Sequence, residues 1–149
     1  MNTEYRYTVD AKWLERRRGQ VSVDPHAPVV TFAAPPEFQG DAGCWTPEHF
    51  FVASIASCFV NTFKALAEFS KFEFLELQVS AEGVLEKVEG GFRFTKVLVK
   101  PLLTIAREEN RERAIKLLEK AERSCFISRS VQSNVELTPT VQVATSAAR

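Results

Sequence analysis

The sequence predicts a mixed α+β protein, because short strand-like segments flank two long segments with helical character. The first helical segment, residues 47 to about 69, is apolar on nearly every side in its early turns. The second, from about residue 107 to 124, carries an apolar stripe opposite a highly charged face. The 149 residues, twelve of them Phe, are most simply one domain, 1–149, long enough to bury an aromatic core.

The first helical segment begins with recognisable capping residues. Thr46 can cap free backbone N–H groups, Pro47 suits the first helical position, and Glu48 suits the positive end of the helix dipole. Residues 50–60 are then apolar except for two serines. A helix without a polar face is expected to be buried, so we expect Cys58 to lie on a buried central helix.

Strand patterns occur on both sides of this helix. Before it, strands are predicted at 5–9, 21–23 and 29–32, with a basic turn at 16–19 and a Pro/Gly-rich loop at 34–43. After it, they are predicted at 75–81, at 92 to about 104 following a Gly90-Gly91 turn, and at 135–138 with 141–143. Pro101 predicts an edge position or a bulge, Pro139 interrupts the last strand, and residues 145–149 are expected to fray.

The apolar stripe of the second helix recurs at the spacing i, i+4, i+7 and i+11. Its members are Ala114, Leu118, Ala121 and Cys125, with Leu117 beside them. A second thiol is therefore expected at the C-terminal end of an inward-facing stripe.

Composition narrows the function classes. Lys+Arg and Asp+Glu number 19 each, so nothing points to nucleic acid or to an anionic membrane as a partner. The polar residues 1–6 do not resemble a signal peptide, and the longest apolar run, 50–60, is too short to span a bilayer. A cytoplasmic location is the default expectation. Three cysteines argue against a structural disulfide framework.

Several interpretations of the thiols remain open on the residues alone. Both cysteines can be packed hydrophobic residues. Alternatively they form a redox pair, in which one thiolate is oxidised to a sulfenic acid that the other thiol converts to a disulfide. Because burial raises a thiol pKa, that chemistry needs a cation nearby, and Arg16, Arg17 and Arg18 are candidates unless they form an ordinary solvated turn.

Two further interpretations have less support. A zinc site would draw its ligands from the histidines and cysteines, although no metal-ligand spacing is present. The available residues are His26, Cys44, His49, Cys58 and Cys125. A hydrolase with a histidine base lacks a nucleophile motif, and there is no Gly-rich phosphate loop.

Three motifs together resemble the OsmC/Ohr family of thiol-dependent peroxidases. Thr46-Pro47-Glu48 precedes Cys58, which ends the run Ala53-Ser54-Ile55-Ala56-Ser57-Cys58. Cys125-Phe126-Ile127-Ser128-Arg129 resembles the second cysteine motif, and Pro36-Glu37-Phe38-Gln39-Gly40 resembles the loop before the central helix. The likeness extends from about residue 13 to 143.

The resemblance implies an OsmC-like α+β fold: an intertwined homodimer in which antiparallel sheets wrap two long helices. It also implies a two-cysteine, peroxiredoxin-like peroxidase without a cofactor, with Cys58 as peroxidatic thiol and Cys125 as resolving thiol. Glu48 matches the active-site Glu, and Arg17 or Arg18 matches the active-site Arg, with Arg17 favoured. The substrates would be organic hydroperoxides or hydrogen peroxide, and the reductant a small or protein-bound dithiol, such as a lipoyl group.

Three points qualify the assignment. Ten residues of straight helix rise about 15 Å, so Glu48 is expected to reach the thiol of the partner subunit rather than its own. The family usually carries Pro after the second cysteine, where this chain has Phe126, and Cys44 matches no family role. The rival interpretation is a non-catalytic protein of the same fold that binds a small apolar ligand or partner in the dimer groove.

Overall fold

The computed structural model describes residues 3–145, so all of the predicted fraying end except Thr145 lies outside the described residues. The chain divides into two compact units, with the boundary between Phe51 and Val52. Each unit is described by itself, and the single domain 1–149 stays a prediction.

The first unit contains a three-stranded antiparallel sheet in sequence order. Its strands are β1 (Asp10–Glu15), β2 (Arg18–Ser22) and β3 (Val30–Ala33). The predicted strand at 5–9 is wrong, because these residues have no regular structure and β1 follows them. The tight turn at Arg16-Arg17 closes the β1–β2 hairpin and pairs Asp10 with Ser22, so the turn rather than the apolar alternation sets the strand position.

The loop predicted at 34–43 leads into the central helix and contains only a 3₁₀ turn, Pro36–Phe38. Helix α1 runs from Pro47 to Phe69, which confirms the prediction. The Thr46 hydroxyl oxygen accepts the His49 backbone N–H at 3.0 Å, so Thr46 caps the helix.

Within the second unit, α1 buries one stripe of side chains. The stripe consists of Ile55, Phe59, Phe63 and Ala67. The other sides of α1 are half-exposed or exposed. In the single chain the helix is therefore buried on one side, and not on all sides as expected. By length and composition α1 could cross a membrane, contrary to the estimate from the apolar run alone, but core helices of soluble proteins pass the same test.

The second unit also contains a mixed sheet built around one long strand. Strands β4 (Glu76–Val88) and β5 (Gly91–Ile105) form an antiparallel hairpin. Strands β6 (Asn134–Leu137) and β7 (Thr140–Val143) follow one another along the same edge of β5. Both run parallel to β5, so the sheet is not purely antiparallel.

Pro101 lies in the central strand β5, so the expected edge position is wrong. The strand pairing explains how β5 accommodates a proline in this position: β6 pairs with β5 up to Val99, and β7 begins pairing at Leu102. Pro101, which has no N–H to donate, falls in the gap between them. Pro139 interrupts the partner strands at the same place, as predicted.

Helix α2 runs from Arg111 to Ser124, a few residues later than predicted, because Glu108–Asn110 forms a 3₁₀ turn first. The predicted apolar stripe is confirmed as buried. Arg111 forms an ion pair with Glu108 at 2.7 Å and donates to the carbonyl of Val141, which ties the start of α2 to β7.

Candidate active site

The second unit brings Cys58 and Cys125 together. Cys58 is half-buried on α1, and Cys125 is fully buried where the backbone leaves α2. Both are free thiols, and their side chains lie within hydrogen-bonding reach of each other. Two helical segments that the sequence predicted separately therefore bring their thiols close together.

Hydrogen bonds favour the thiolate of Cys58. Burial acts to raise the pKa of this thiol, and four hydrogen bonds act against it. They come from the backbone N–H of Ile127, the side chains of Cys125 and Thr62, and the backbone N–H of Phe126. The net result is a pKa of Cys58 below its ordinary value. The Thr62 hydroxyl oxygen lies 3.7 Å from the Cys58 sulfur.

Cys125 is shifted in the opposite direction. Burial raises the pKa of its thiol, and the neighbouring Cys58 raises it further, although the backbone N–H and hydroxyl of Ser128 oppose the change. Of the two thiols, Cys58 therefore loses its proton more readily than Cys125 does. This division suits a nucleophile with a waiting second thiol.

A cavity of about 590 Å³ opens beside Cys58. Its wall is mostly apolar, with Leu66, Phe69 and Ile127 among the lining residues, and Asn61 supplies a polar group. None of the lining residues is charged. The cavity therefore suits an apolar molecule that presents one polar group to the sulfur.

The three arginines of the basic turn lie in the first unit, where two of them share a carboxylate and the third does not. Arg16 and Arg18 both form ion pairs with Asp41, at 2.9 and 2.8 Å. The hydrogen bond from Arg18 holds the pKa of Asp41 below its ordinary value, with Arg16 adding to the effect. Arg17 donates to the carbonyl of Phe38 at 3.2 Å and has no carboxylate partner among residues 3–145.

Glu48 occupies the first turn of α1, as predicted. Its Oε1 atom is buried and has no hydrogen-bond partner within the described chain, and none of the arginines forms an ion pair with it there. A buried carboxylate oxygen without a partner is energetically costly and uncommon.

The remaining candidates stay in the first unit. Cys44 is half-buried beside Trp45 and, with His49, lines a cavity of about 280 Å³. His49 Nδ1 lies 2.7 Å from the Thr46 hydroxyl oxygen, and His26 is exposed. Among the described residues, no group of three or more His, Cys, Asp or Glu side chains is placed to hold a metal ion.

Sequence reasoning missed the groups that tune the two thiols. The sequence does contain a signal for Thr62, because it follows Cys58 by one helical turn (i+4) on a predicted helix. The N–H groups of Phe126 and Ile127 carry no sequence signal, since every residue except Pro has one. Asp41 was missed because its pairing with the basic turn depends on the loop path.

A family model described as OsmC-like protein matches residues 40–140, which include all three cysteines. The chain belongs to this family. An uncharacterised protein of Bacillus subtilis is 28% identical over 137 residues, covering 90% of this chain and 91% of its own. The organic hydroperoxide resistance protein of Xanthomonas axonopodis is 26% identical over 137 residues, covering 91% and 94%.

Solved structures agree with the OsmC-like fold. An OsmC-like protein of unknown function from Vibrio cholerae superposes with a TM-score of 0.80 at 20% identity, covering 91% of this chain and 99% of its own. An organic hydroperoxide resistance protein from Legionella pneumophila gives a TM-score of 0.75 at 25% identity, covering 95% and 100%. The predicted family and the OsmC-like α+β fold are confirmed, and the intertwined homodimer stays a prediction.

Proposed function

We propose that this OsmC-like protein is a thiol-dependent peroxidase that reduces organic hydroperoxides. The observation that carries the proposal is the thiol pair: Cys58 with a lowered pKa lies against Cys125 with a raised one, beside an apolar cavity. Relatives named organic hydroperoxide resistance proteins support the same substrate class.

The chemistry proceeds in two steps at the Cys58 sulfur. The thiolate attacks the terminal oxygen of the hydroperoxide, the O–O bond breaks, and the alkoxide leaves as an alcohol after taking a proton. Cys58 is then a sulfenic acid. The Cys125 sulfur attacks it, gives up its proton, and releases water as the disulfide forms. An external dithiol, for which a lipoyl group is one candidate, reduces the disulfide by exchange.

Arg17 and Glu48 are the proposed electrostatic partners of the Cys58 thiolate. Asp41 already engages the neighbouring arginines, which favours Arg17 over Arg18 as the activating cation. The unpartnered, buried Glu48 Oε1 supports a role in holding that guanidinium. Arg–carboxylate pairing would at once satisfy the oxygen and orient the cation.

The proposal includes a homodimer, in which Glu48 of one subunit acts at the Cys58 thiol of the other. The exposed side of α1 supports this, because the apolar side chain of Phe69, the last residue of the helix, is 89% exposed in the single chain. The proposed location is the cytoplasm, which the balanced charge of the chain favours.

The test is peptide-mapping mass spectrometry after one equivalent of cumene hydroperoxide. In a Cys44→Ser background, the otherwise unaltered protein is expected to form a Cys58–Cys125 disulfide. With Cys125→Ser added, Cys58 is expected to accumulate as the sulfenic acid. A Cys58 that stays reduced while peroxide persists would contradict the proposal.

The cavity also supports a second candidate, a non-catalytic protein that binds an apolar ligand there. Under this alternative, a fluorescent apolar probe would bind beside Cys58, and Cys58→Ala would leave both binding and peroxide levels unchanged. Comparing Arg17→Ala with its matched control, Arg16→Ala, separates the two candidate functions. A peroxidase is expected to lose thiolate reactivity in Arg17→Ala and to keep it in Arg16→Ala.

A further inference from the structure

Thr62 lies one helical turn after Cys58 on α1, and its hydroxyl group contacts the Cys58 sulfur. The Thr62 Oγ1 atom and the Cys58 Sγ atom are 3.7 Å apart. A serine or threonine inside a helix commonly donates to the backbone carbonyl four residues earlier. Ser57 does so, because its hydroxyl donates to the Ala53 carbonyl at 2.7 Å. Thr62 instead directs its hydroxyl to the side chain of the residue four positions earlier, so this hydroxyl serves the thiol.

The Thr62 side chain also lines the cavity of about 590 Å³ beside Cys58. A hydroxyl group has one hydrogen to donate and two lone pairs that can accept. Within the part of the chain that the structure describes, the hydrogen-bond partner of the Thr62 hydroxyl is the Cys58 sulfur. Because a thiolate has no hydrogen, Thr62 must be the donor once Cys58 is ionised. The lone pairs of Oγ1 then remain available to a molecule in the cavity.

We propose that the Thr62 hydroxyl orients the hydroperoxide for attack by Cys58. It donates its hydrogen to the thiolate sulfur and accepts the O–H hydrogen of the bound hydroperoxide. The inference rests on the proposed peroxidase function and adds the group that aligns the substrate with the nucleophile. Two hydrogen bonds through one oxygen atom hold the two reacting partners on the same side of Thr62.

This arrangement selects which peroxide oxygen reacts. The hydrogen of a hydroperoxide is carried by its terminal oxygen, so a substrate held through its O–H group presents that oxygen to the sulfur. The sulfur supplies the electron pair of the new S–O bond, and the O–O bond breaks. The terminal oxygen keeps its hydrogen and becomes the sulfenic acid oxygen. The alkoxide leaves with the electron pair of the O–O bond and takes a proton from water.

The role of Thr62 is separate from the one proposed for Arg17. The arginine supplies positive charge, whereas a neutral hydroxyl supplies direction. Farther along α1 the cavity wall becomes apolar, with Ala65 and Leu66 as lining residues. A hydroperoxide held at Thr62 through its O–H group can therefore place its alkyl group against this apolar wall.

The experiment uses a parent protein in which Cys58 is the only cysteine, made by Cys44→Ser and Cys125→Ser. Thr62→Val keeps the branched shape of the side chain and removes the hydroxyl, whereas Thr62→Ser keeps the hydroxyl and removes the methyl group. Each protein reacts at neutral pH with cumene hydroperoxide and, separately, with methyl methanethiosulfonate, a thiol reagent without an O–H or N–H group. Mass spectrometry of the intact protein after rapid quenching gives both rate constants.

We expect Thr62→Val to slow the two reactions unequally. The thiosulfonate reaction should slow about threefold, because the thiolate loses one donor. Oxidation should slow about fifteenfold, because the hydroperoxide also loses its acceptor, and one hydrogen bond accounts for the remaining factor of about five. Thr62→Ser is expected to keep both rate constants within about twofold of the parent.

Three results would contradict the proposal. If Thr62→Val changes both reactions by the same factor, or if Thr62→Ser loses as much oxidation rate as Thr62→Val, the orienting role is wrong and the peroxidase function stands. If cumene hydroperoxide leaves Cys58 of the parent reduced, both proposals are wrong. Circular dichroism checks the fold of Thr62→Val. If this variant is unfolded, Thr62→Ala replaces it, since alanine and serine differ by the hydroxyl alone.

Discussion

Glu122 lies three residues before Cys125, in the last turn of α2, and is half-buried. Burial raises the pKa of its carboxyl group, with a hydrogen bond from the Ser128 hydroxyl acting against the rise. The same serine serves Cys125 through its N–H and its hydroxyl. The ionisation of Glu122 is thus linked, through Ser128, to the turn that follows Cys125.

Glu122→Gln is expected to stabilise the protein at neutral pH. The folded-state pKa lies above the unfolded value of 4.5, so the protonated carboxyl favours folding, and this contribution is lost as pH rises through the folded value. The glutamine does not titrate. Its melting temperature should match the parent near about pH 4 and exceed it by roughly 2 °C near about pH 7.

Differential scanning calorimetry at the two pH values makes the comparison. Glu119→Gln is the matched control, because Glu119 is exposed on the same helix. An advantage for Glu122→Gln that does not grow with pH, or a loss of stability at neutral pH, would count against the burial argument.

Among the structural elements, the loop before α1 is the most closely constrained. A Cβ at Gly40 would lie 1.5 Å from the carbonyl oxygen of Ala34, while one at Gly43 would meet nothing within 4 Å. The Gly40 N–H also bonds the Pro35 carbonyl at 3.1 Å. This close backbone approach leaves room for glycine alone at position 40.

Gly40→Ala should therefore destabilise the first unit by about 3 kcal/mol, since the backbone must move to relieve the clash. Gly43→Ala, where φ is +84°, should cost only about 1 kcal/mol of left-handed strain. Urea unfolding followed by tryptophan fluorescence suits the measurement, because Trp13 and Trp45 both lie in this unit. An equal loss of unfolding free energy in the two variants would contradict the steric argument for Gly40.

Among helices and strands, the sequence predicted correctly those whose position is determined by neighbouring residues in the chain. Thr46 and Pro47 define the start of α1, and the spacing of the α2 stripe led correctly to a buried Cys125. The strand predicted at 5–9 was misplaced because strand position depends on pairing, which the turn at Arg16-Arg17 sets. The cavity wall that Cys58 shares with Phe126 and Ile127 was out of reach for the same reason, as it depends on where two distant segments meet.

For the whole molecule, the exposed side of α1 is the feature that separates a monomer from a dimer. The helix is long and apolar enough for a membrane span by composition, yet only 22% of its most apolar window is buried in the single chain. A second copy covering this side would bury apolar surface that the single chain leaves in water. The homodimer stays a proposal that one substitution can test.

Phe69→Asp should shift the protein from dimer to monomer, because a carboxylate placed in an apolar interface loses its hydration without gaining a partner. Sedimentation velocity is expected to show a dissociation constant at least about tenfold higher. Lys120→Gln, on the exposed charged face of α2, is the control for the change of one unit in net charge. A parent protein that is monomeric, or a variant that stays fully dimeric, would refute the predicted interface.

The distance along the chain between the two neighbouring thiols has a consequence for biosynthesis. Cys58 leaves the ribosome well before Cys125 does, because Cys125 follows α2 much later in the chain. Until Cys125 has been synthesised and the second unit has folded, Cys58 lacks the neighbouring thiol that acts to lower its pKa. We therefore expect Cys58 of a nascent chain to behave as an ordinary thiol, so that heightened sensitivity to oxidants is acquired only when folding is complete.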